Sequence, residues 1–186
     1  MPRSPNASDE EILEITNQLI AKHDVSGVTV DMVASKAGVS KATIYRRWPS
    51  RSALILDALT IMHRPSAKPD SGSIRGDLHI LLKELVEFLN RRNGGKLFMS
   101  FLNEAMRNPK LAQANRRISA EVRASYVAAI DQAIKRGELD GSVNVELMID
   151  LLISPFLYRR FTGTSTVDAA DIDPIIDVAL KAFGKE

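Results

Sequence analysis

Apolar residues recur along this chain at spacings of three and four and never in strict alternation, so the pattern predicts helices throughout and no strand. Ile12, Ile15, Leu19 and Ile20 form one face of a first helix. Ser8 and Glu11 make a capping box at its start, and Asp9, Glu10 and Glu11 suit its positive end. His23 to Gly27 ends it. Val30, Met32, Val33, Ala34 and Ala37 mark a short second helix, with Thr29 placed to cap it and Gly38 placed to close it in the left-handed conformation. Ser40 then caps a third helix, Lys41 to Arg47. There Ile44 faces inward with Val39 and Trp48, which leaves Lys41, Thr43, Tyr45, Arg46 and Arg47 outside. Ser50 caps a fourth, Ser52 to His63, whose apolar positions are Leu54, Ile55, Ala58, Leu59 and Met62.

The periodicity then breaks. The run RPSAKPDSGS, residues 64–73, holds two prolines, a glycine and no hydrophobic period, which places a domain boundary between residues 1–63 and 74–186. Beyond it the pattern predicts a helix over Asp77 to Arg91, stopped by Asn93-Gly94-Gly95, and another over Lys96 to Arg107, stopped by Asn108-Pro109. A long helix follows from Lys110 to Arg136, closed by Gly137, and then Val145 to Arg160 with a kink at Pro155. Asp173-Pro174 reads as the cap and first-turn proline of a last helix reaching Phe183. Ile175, Ile176, Val178, Ala179, Leu180, Ala182 and Phe183 cover most of that helix's circumference. Such a helix needs cover on two sides, and a second subunit is the expected cover. The fold class is all-α.

Composition narrows the chemistry. A chain of 186 residues that is 45% hydrophobic and 26% charged buries a core and is too apolar for disorder. No run approaches the ~18 apolar residues of a membrane span, the N-terminus has no hydrophobic signal core, and residues 1–7 read as a mobile tail. Without cysteine there are no disulfides or thiolate metal sites, and the cytoplasm is the expected compartment. His23, His63 and His79 share no metal-ligand spacing, and no glycine-rich phosphate loop occurs. Asp168, Asp171, Asp173 and Asp177 read as a solvated loop and helix cap. No catalysis, metal or cofactor is expected.

The net charge of +2 is small, so the informative feature is where the charges lie. Between Met32 and Leu56 they are Lys36, Lys41, Arg46, Arg47 and Arg51, with no Asp or Glu. Helix, glycine turn and a second helix with a basic outer face form a helix-turn-helix pattern. A one-sign run suits a polyanion, because each neutralised phosphate releases condensed counterions. Double-stranded DNA is the predicted partner.

Thr29-Val30, Val33-Ala34, Ala37-Gly38-Val39-Ser40 and Thr43-Ile44-Tyr45, then an aromatic and a basic residue before Ala53-Leu54, resemble the TetR family of bacterial transcriptional regulators over residues 9–63. Where that family typically has Tyr-x-His-Phe and then Lys-Glu, this chain has Tyr45-Arg46-Arg47-Trp48-Pro49-Ser50-Arg51-Ser52. Trp48 can fill the Phe's core role and Arg51 can replace the phosphate-contacting Lys, while Arg47 stands in place of the His. The resemblance implies an N-terminal three-helix helix-turn-helix DNA-binding domain and a C-terminal helical ligand-binding and dimerisation domain. It also implies a homodimer through the last two helices (about 145–161 and 174–183), a near-palindromic operator and a small-molecule inducer, with repression the family default.

Lys41 and Thr43 are the expected contacts to base edges or nearby phosphates. Tyr45 and Arg51 fit phosphate clamps by the family pattern, Thr29 and Ser40 lesser ones, and Arg46 and Arg47 suit either job. Tyr45 also fits half-buried support for the turn, and Arg3 can reach toward a DNA backbone. Phe88, Phe98, Phe101, Met106, Tyr126 and Phe156 can line an apolar pocket for the inducer, or be plain core. The alternative is a sequence-tolerant architectural DNA-binding protein without an inducer.

Overall fold

The computed structural model describes residues 7–61, 69–91, 94–163 and 167–184. Among these residues the chain forms nine α-helices and no strand. Arg3, Met62, His63 and residues 64–68 of the connector lie outside the described residues.

Side-chain caps decide where the first four helices begin. α1 (Asp9–Gly27) opens on a reciprocal box, in which Ser8 Oγ accepts the Glu11 N–H at 3.2 Å and Glu11 Oε2 accepts the Ser8 N–H at 2.8 Å. Thr29 Oγ1 accepts the Met32 N–H at 3.3 Å to start α2 (Val30–Ala37), which closes at Gly38 with φ 69°. Ser40 Oγ starts α3 (Lys41–Arg47) from the Thr43 N–H at 3.1 Å. Ser50 Oγ starts α4 (Arg51–Thr60) from the Ala53 N–H at 3.1 Å. Each such cap stabilises its helix by about 1 kcal/mol. Ala7, assigned to a mobile tail, is instead buried at 7% exposure, and its carbonyl accepts a bond from Arg47.

In the second half, several turn signals act as starts rather than stops. α5 (Ile74–Asn90) begins three residues before Asp77, because Ser73 Oγ accepts the Gly76 N–H at 3.1 Å. Gly94 and Gly95 open α6 (Gly94–Ala105) instead of only ending α5. Asn108 Oδ1 accepts the Lys110 N–H at 3.1 Å and so caps α7 (Pro109–Arg136). α8 (Val145–Thr162) is capped by Asn144, contains Pro155 and closes at Gly163 with φ 65°. A 3₁₀ turn, Ala169–Asp171, is capped by Asp168, so α9 (Ile172–Phe183) starts two residues before Pro174. Asp173 therefore lies inside its first turn, 3.2 Å from His79 Nδ1, and is not the cap.

The chain forms two compact units, and they do not follow the connector. One comprises Met1–Arg64 and Lys96–Ile118; the other comprises Pro65–Gly95 and Ser119–Glu186. Ile12, Ile20, Val33, Ile44, Trp48, Leu54 and Ile55 share the first core with Leu97 and Phe101 of α6 and Leu111 and Ile118 of α7. The composition break at 64–73 thus separates segments of chain, whereas burial groups α6 and the start of α7 with the N-terminal helices. Leu78, Leu82 and Leu89 of α5, Tyr126 and Ile130 of α7, Met148, Leu152 and Phe156 of α8 and Ile176 of α9 form the second core.

A polar cluster fixes the start of α5. Asp77 is fully buried, its Oδ1 accepting the Ser71 N–H at 2.7 Å and its Oδ2 lying 3.5 Å from Arg136 Nη2. Glu138 accepts the Ile74 N–H at 2.7 Å and a bond from Arg136 Nε. Burial alone would raise the Glu138 pKa, but the Ile74 N–H and the Arg136 guanidinium outweigh it and hold the carboxyl below its usual range.

Candidate nucleic-acid interface

α3 is amphipathic within two turns. Ile44 is fully buried and packs in the first core with Val33, Ala34 and Trp48. The Trp48 indole N–H donates to Asp57 Oδ2 at 2.9 Å, which seats the end of α3 on α4. Between α2 and α3, the left-handed Gly38 lets the Val39 N–H reach back to the Ala34 carbonyl at 3.0 Å, so the turn is tight. With the inward face committed, Lys41, Tyr45 and Arg46 are exposed and Thr43 is half-buried. Tyr45 keeps 49% of its surface in solvent.

Folding brings partners to most of the cations that form a one-sign run in the sequence. Lys36 Nζ donates to Gln18 Oε1 at 3.0 Å. Lys41 Nζ lies 2.5 Å from Asp31 Oδ1, with both side chains about 60% exposed (59% and 61%). Arg47 Nη1 donates to the Ala7 carbonyl at 2.8 Å and pairs with Asp9 at 3.0 Å, which ties the end of α3 to the start of α1. Arg51 is half-buried; its Nε donates to the Val28 carbonyl at 2.6 Å and its Nη2 to the Val25 carbonyl. Arg51 is thus committed to the end of α1, where unsatisfied carbonyls attract a guanidinium. The guanidinium that the family pattern puts on a phosphate is thus also engaged at the end of α1. Arg46 is the exposed cation of α3 with no hydrogen-bond or ion-pair partner among the described residues.

The hydroxyls have a double use. Thr29 and Ser40 accept from backbone N–H groups as caps. A hydroxyl that accepts in this way still carries a proton to donate. Ser40 Oγ also lies 2.9 Å from Thr43 Oγ1, so one of that pair donates to the other. Asp31 and Asp9 are the residues that the sequence pattern misses. Asp31 precedes the basic run by one position, and its partner is ten residues away. The one local signal is an acid in the first turn of α2.

The six candidate pocket residues divide between the units. Phe98, Phe101 and Met106 belong to the first, and Phe88, Tyr126 and Phe156 to the second. Phe101 and Phe156 are core at 2% and 0% exposure. Met106 is 87% exposed in the turn after α6, so its side chain lines no apolar interior. Tyr126 is buried at 2% exposure; burial first, and then the Glu84 carboxylate, push its phenol well above the usual range.

A capped two-helix unit with a tight glycine turn, and with Lys41, Tyr45 and Arg46 exposed on its second helix, has the form of a helix-turn-helix. Residues 12–58 match the family profile of bacterial regulatory proteins of the tetR family, and residues 68–179 match that of the tetracyclin repressor-like C-terminal domain. The chain is 33% identical over 180 residues to an uncharacterized HTH-type transcriptional regulator of Mycobacterium bovis, Mb1581, covering 95% of this chain and 86% of the relative. It is 30% identical over 174 residues to the uncharacterized HTH-type regulator YdeS of Bacillus subtilis, covering 92% and 86% respectively. Among solved structures, the TetR family transcription regulator SCO0332 aligns at a TM-score of 0.68 with 29% identity, over 92% of this chain and 95% of that one. The protein belongs to the TetR family of bacterial transcriptional regulators.

Proposed function

We propose that the protein is a homodimeric, ligand-responsive repressor that binds a near-palindromic operator and is released by a small apolar inducer. The observation that carries the DNA contact is the surface of α3, where Lys41, Tyr45 and Arg46 are exposed and Thr43 is half-buried while Ile44 is buried. Lys41 can donate to guanine O6 and N7, and Thr43 can touch a thymine methyl. Arg46 and Tyr45 take phosphates, with Thr29 and Ser40 as lesser contacts. Arg47 and Arg51 hold α3 and α4 to the two ends of α1 through Asp9 and the Val25 carbonyl.

Dimerisation through the last two helices has its own support. Leu147, Leu151 and Tyr158 stand at spacings of four and seven along α8 and are 48%, 48% and 64% exposed, while Val178 on α9 is 71% exposed. Apolar side chains left in water on two neighbouring helices favour a covering partner. A two-fold dimer would set two α3 helices in successive major grooves about 34–36 Å apart, which calls for a near-palindrome. The aromatic side chains of the second core, Phe88, Tyr126 and Phe156, favour an apolar inducer. Such an inducer releases DNA only by preferring a dimer whose α3 helices are wrongly spaced for the operator. Action on chromosomal DNA puts the protein in the cytoplasm.

The test is selection of bound duplexes from a random pool by the full chain at near-physiological salt. A near-palindromic consensus, lost on addition of an apolar small molecule found by thermal shift, is the expected result. Uniform recovery of all sequences would overturn it in favour of an architectural DNA binder.

A further inference from the structure

Lys41 opens α3 and is one of the two residues proposed for base edges, yet its ammonium is already paired with Asp31, 2.5 Å away on α2. An exposed pair of this kind is weakly held and opens at little cost. Asp31 also lies two residues past Thr29, at the end of α2 whose hydroxyl is assigned to a phosphate. A DNA backbone brought up to Thr29 therefore meets the Asp31 carboxylate as well. On random DNA, the attraction of Lys41 for phosphate is offset by the repulsion of Asp31. On the right sequence, the ammonium leaves Asp31 for acceptors on a base edge, where its direction as well as its charge counts.

We propose that Asp31 is a specificity-determining residue: its carboxylate cancels the charge of Lys41 toward phosphates, so that Lys41 contributes only where a base edge receives it. This rests on the assignment of α3 as the DNA reader. It adds a repulsive element to the attractive ones, which is how discrimination is gained without greater affinity.

The full chain and its D31N, K41M and D31N/K41M variants are titrated against a duplex carrying the selected consensus and against the same duplex shuffled, across a salt series. D31N tightens binding to the shuffled duplex about five- to tenfold and to the consensus by less than about twofold, so discrimination falls. Its salt slope on the shuffled duplex steepens by about one counterion per subunit. In the K41M background, D31N shifts both duplexes by one common factor. D31E, which keeps the charge, retains the wild-type discrimination. Equal shifts on both duplexes in the wild-type background, or no shift on either, would overturn the proposal. Both side chains are about 60% exposed (59% and 61%), so the variants keep the fold, and matching thermal melts check that. A wild-type chain that binds neither duplex would remove the DNA-reading assignment itself and this inference with it. The wild-type titration alone separates that outcome from the others.

Discussion

The backbone N–H of Val25 donates to the Ser100 hydroxyl over 2.9 Å, while the Val25 carbonyl accepts from the Arg51 guanidinium. One residue thus ties the end of α1 to α6 through its nitrogen and to α4 through its oxygen. The residue before it, Asp24, has φ 60° and ψ 167°, a conformation that side chains avoid and that persists only where the surroundings enforce it. The two bonds to Val25 are the visible enforcement.

Replacing Ser100 with Ala leaves the Val25 N–H without its acceptor in a part-buried place. The expected loss is about 1–2 kcal/mol of stability, read as a lower urea midpoint with an unchanged slope. Consensus affinity at temperatures well below the melt should stay within a factor of about two, a shift of the order expected for a side chain remote from the DNA.

Arg51→Ala tests whether this arginine holds the head together or holds DNA. As a strut to Val25 and Val28 it should cost about 1.5–3 kcal/mol in unfolding experiments. Its remaining DNA binding should keep the wild-type salt slope. A shallower slope with undiminished stability would return Arg51 to the phosphate clamp that the family pattern suggests.

Arg46→Ala should do the reverse. Because its guanidinium has no partner among the described residues, its loss should leave thermal stability unchanged. Binding to consensus and shuffled duplexes should weaken together, and the salt slope should fall by about 0.9 per subunit. Titrations at several salt concentrations read both quantities.

Glu138 gives a pH signature. Its folded pKa is held below the free value of 4.5. The folded chain therefore holds that proton less tightly than the unfolded chain. The stabilisation is complete above the unfolded value and is lost as pH falls through the folded one. Urea unfolding at a series of pH values should show the gap between the wild type and Glu138→Gln largest above about pH 5 and closing below about pH 4, the range in which a depressed carboxyl titrates.

Leu151→Asp places a charge in the exposed apolar stripe of α8. If the proposed dimer forms through this stripe, sedimentation should show a dimer for the wild type and a monomer for the variant, and consensus binding should drop at least about tenfold, because one half-site cannot supply the contacts of two. An unchanged dimer would place the subunit contact elsewhere.

Helix existence and caps are legible in the chain because they are local. Ser8 with Glu11, Thr29 with Met32, and Ser40 with Thr43 are each three residues apart, and each pair forms its bond. Partners of charged groups are not legible in the same way. The basic run from Lys36 to Arg51 excludes every acid in its own stretch, and folding then returns Asp31 to Lys41 and Asp9 to Arg47. No period or spacing encodes those meetings, since they depend on how α1, α2 and α3 pack. The same holds for Asn108-Pro109 and Gly94-Gly95, which punctuate the chain visibly but do not say on which side the next helix lies. Core membership is equally non-local: Phe101 reads as amphipathic helix anywhere, and only packing assigns it to the core of the DNA-binding head.

That assignment bears on modularity. Leu97, Phe101, Leu111 and Ile118 complete a core whose other members lie before residue 62. A chimera that spliced the head of one relative onto the body of another at the connector would inherit two halves of one interior from different ancestors. Mismatched volumes there are felt methylene by methylene. Exchange of operator preference within this family should therefore proceed more readily by point changes on the outer side of α3 than by wholesale recombination at residue 64.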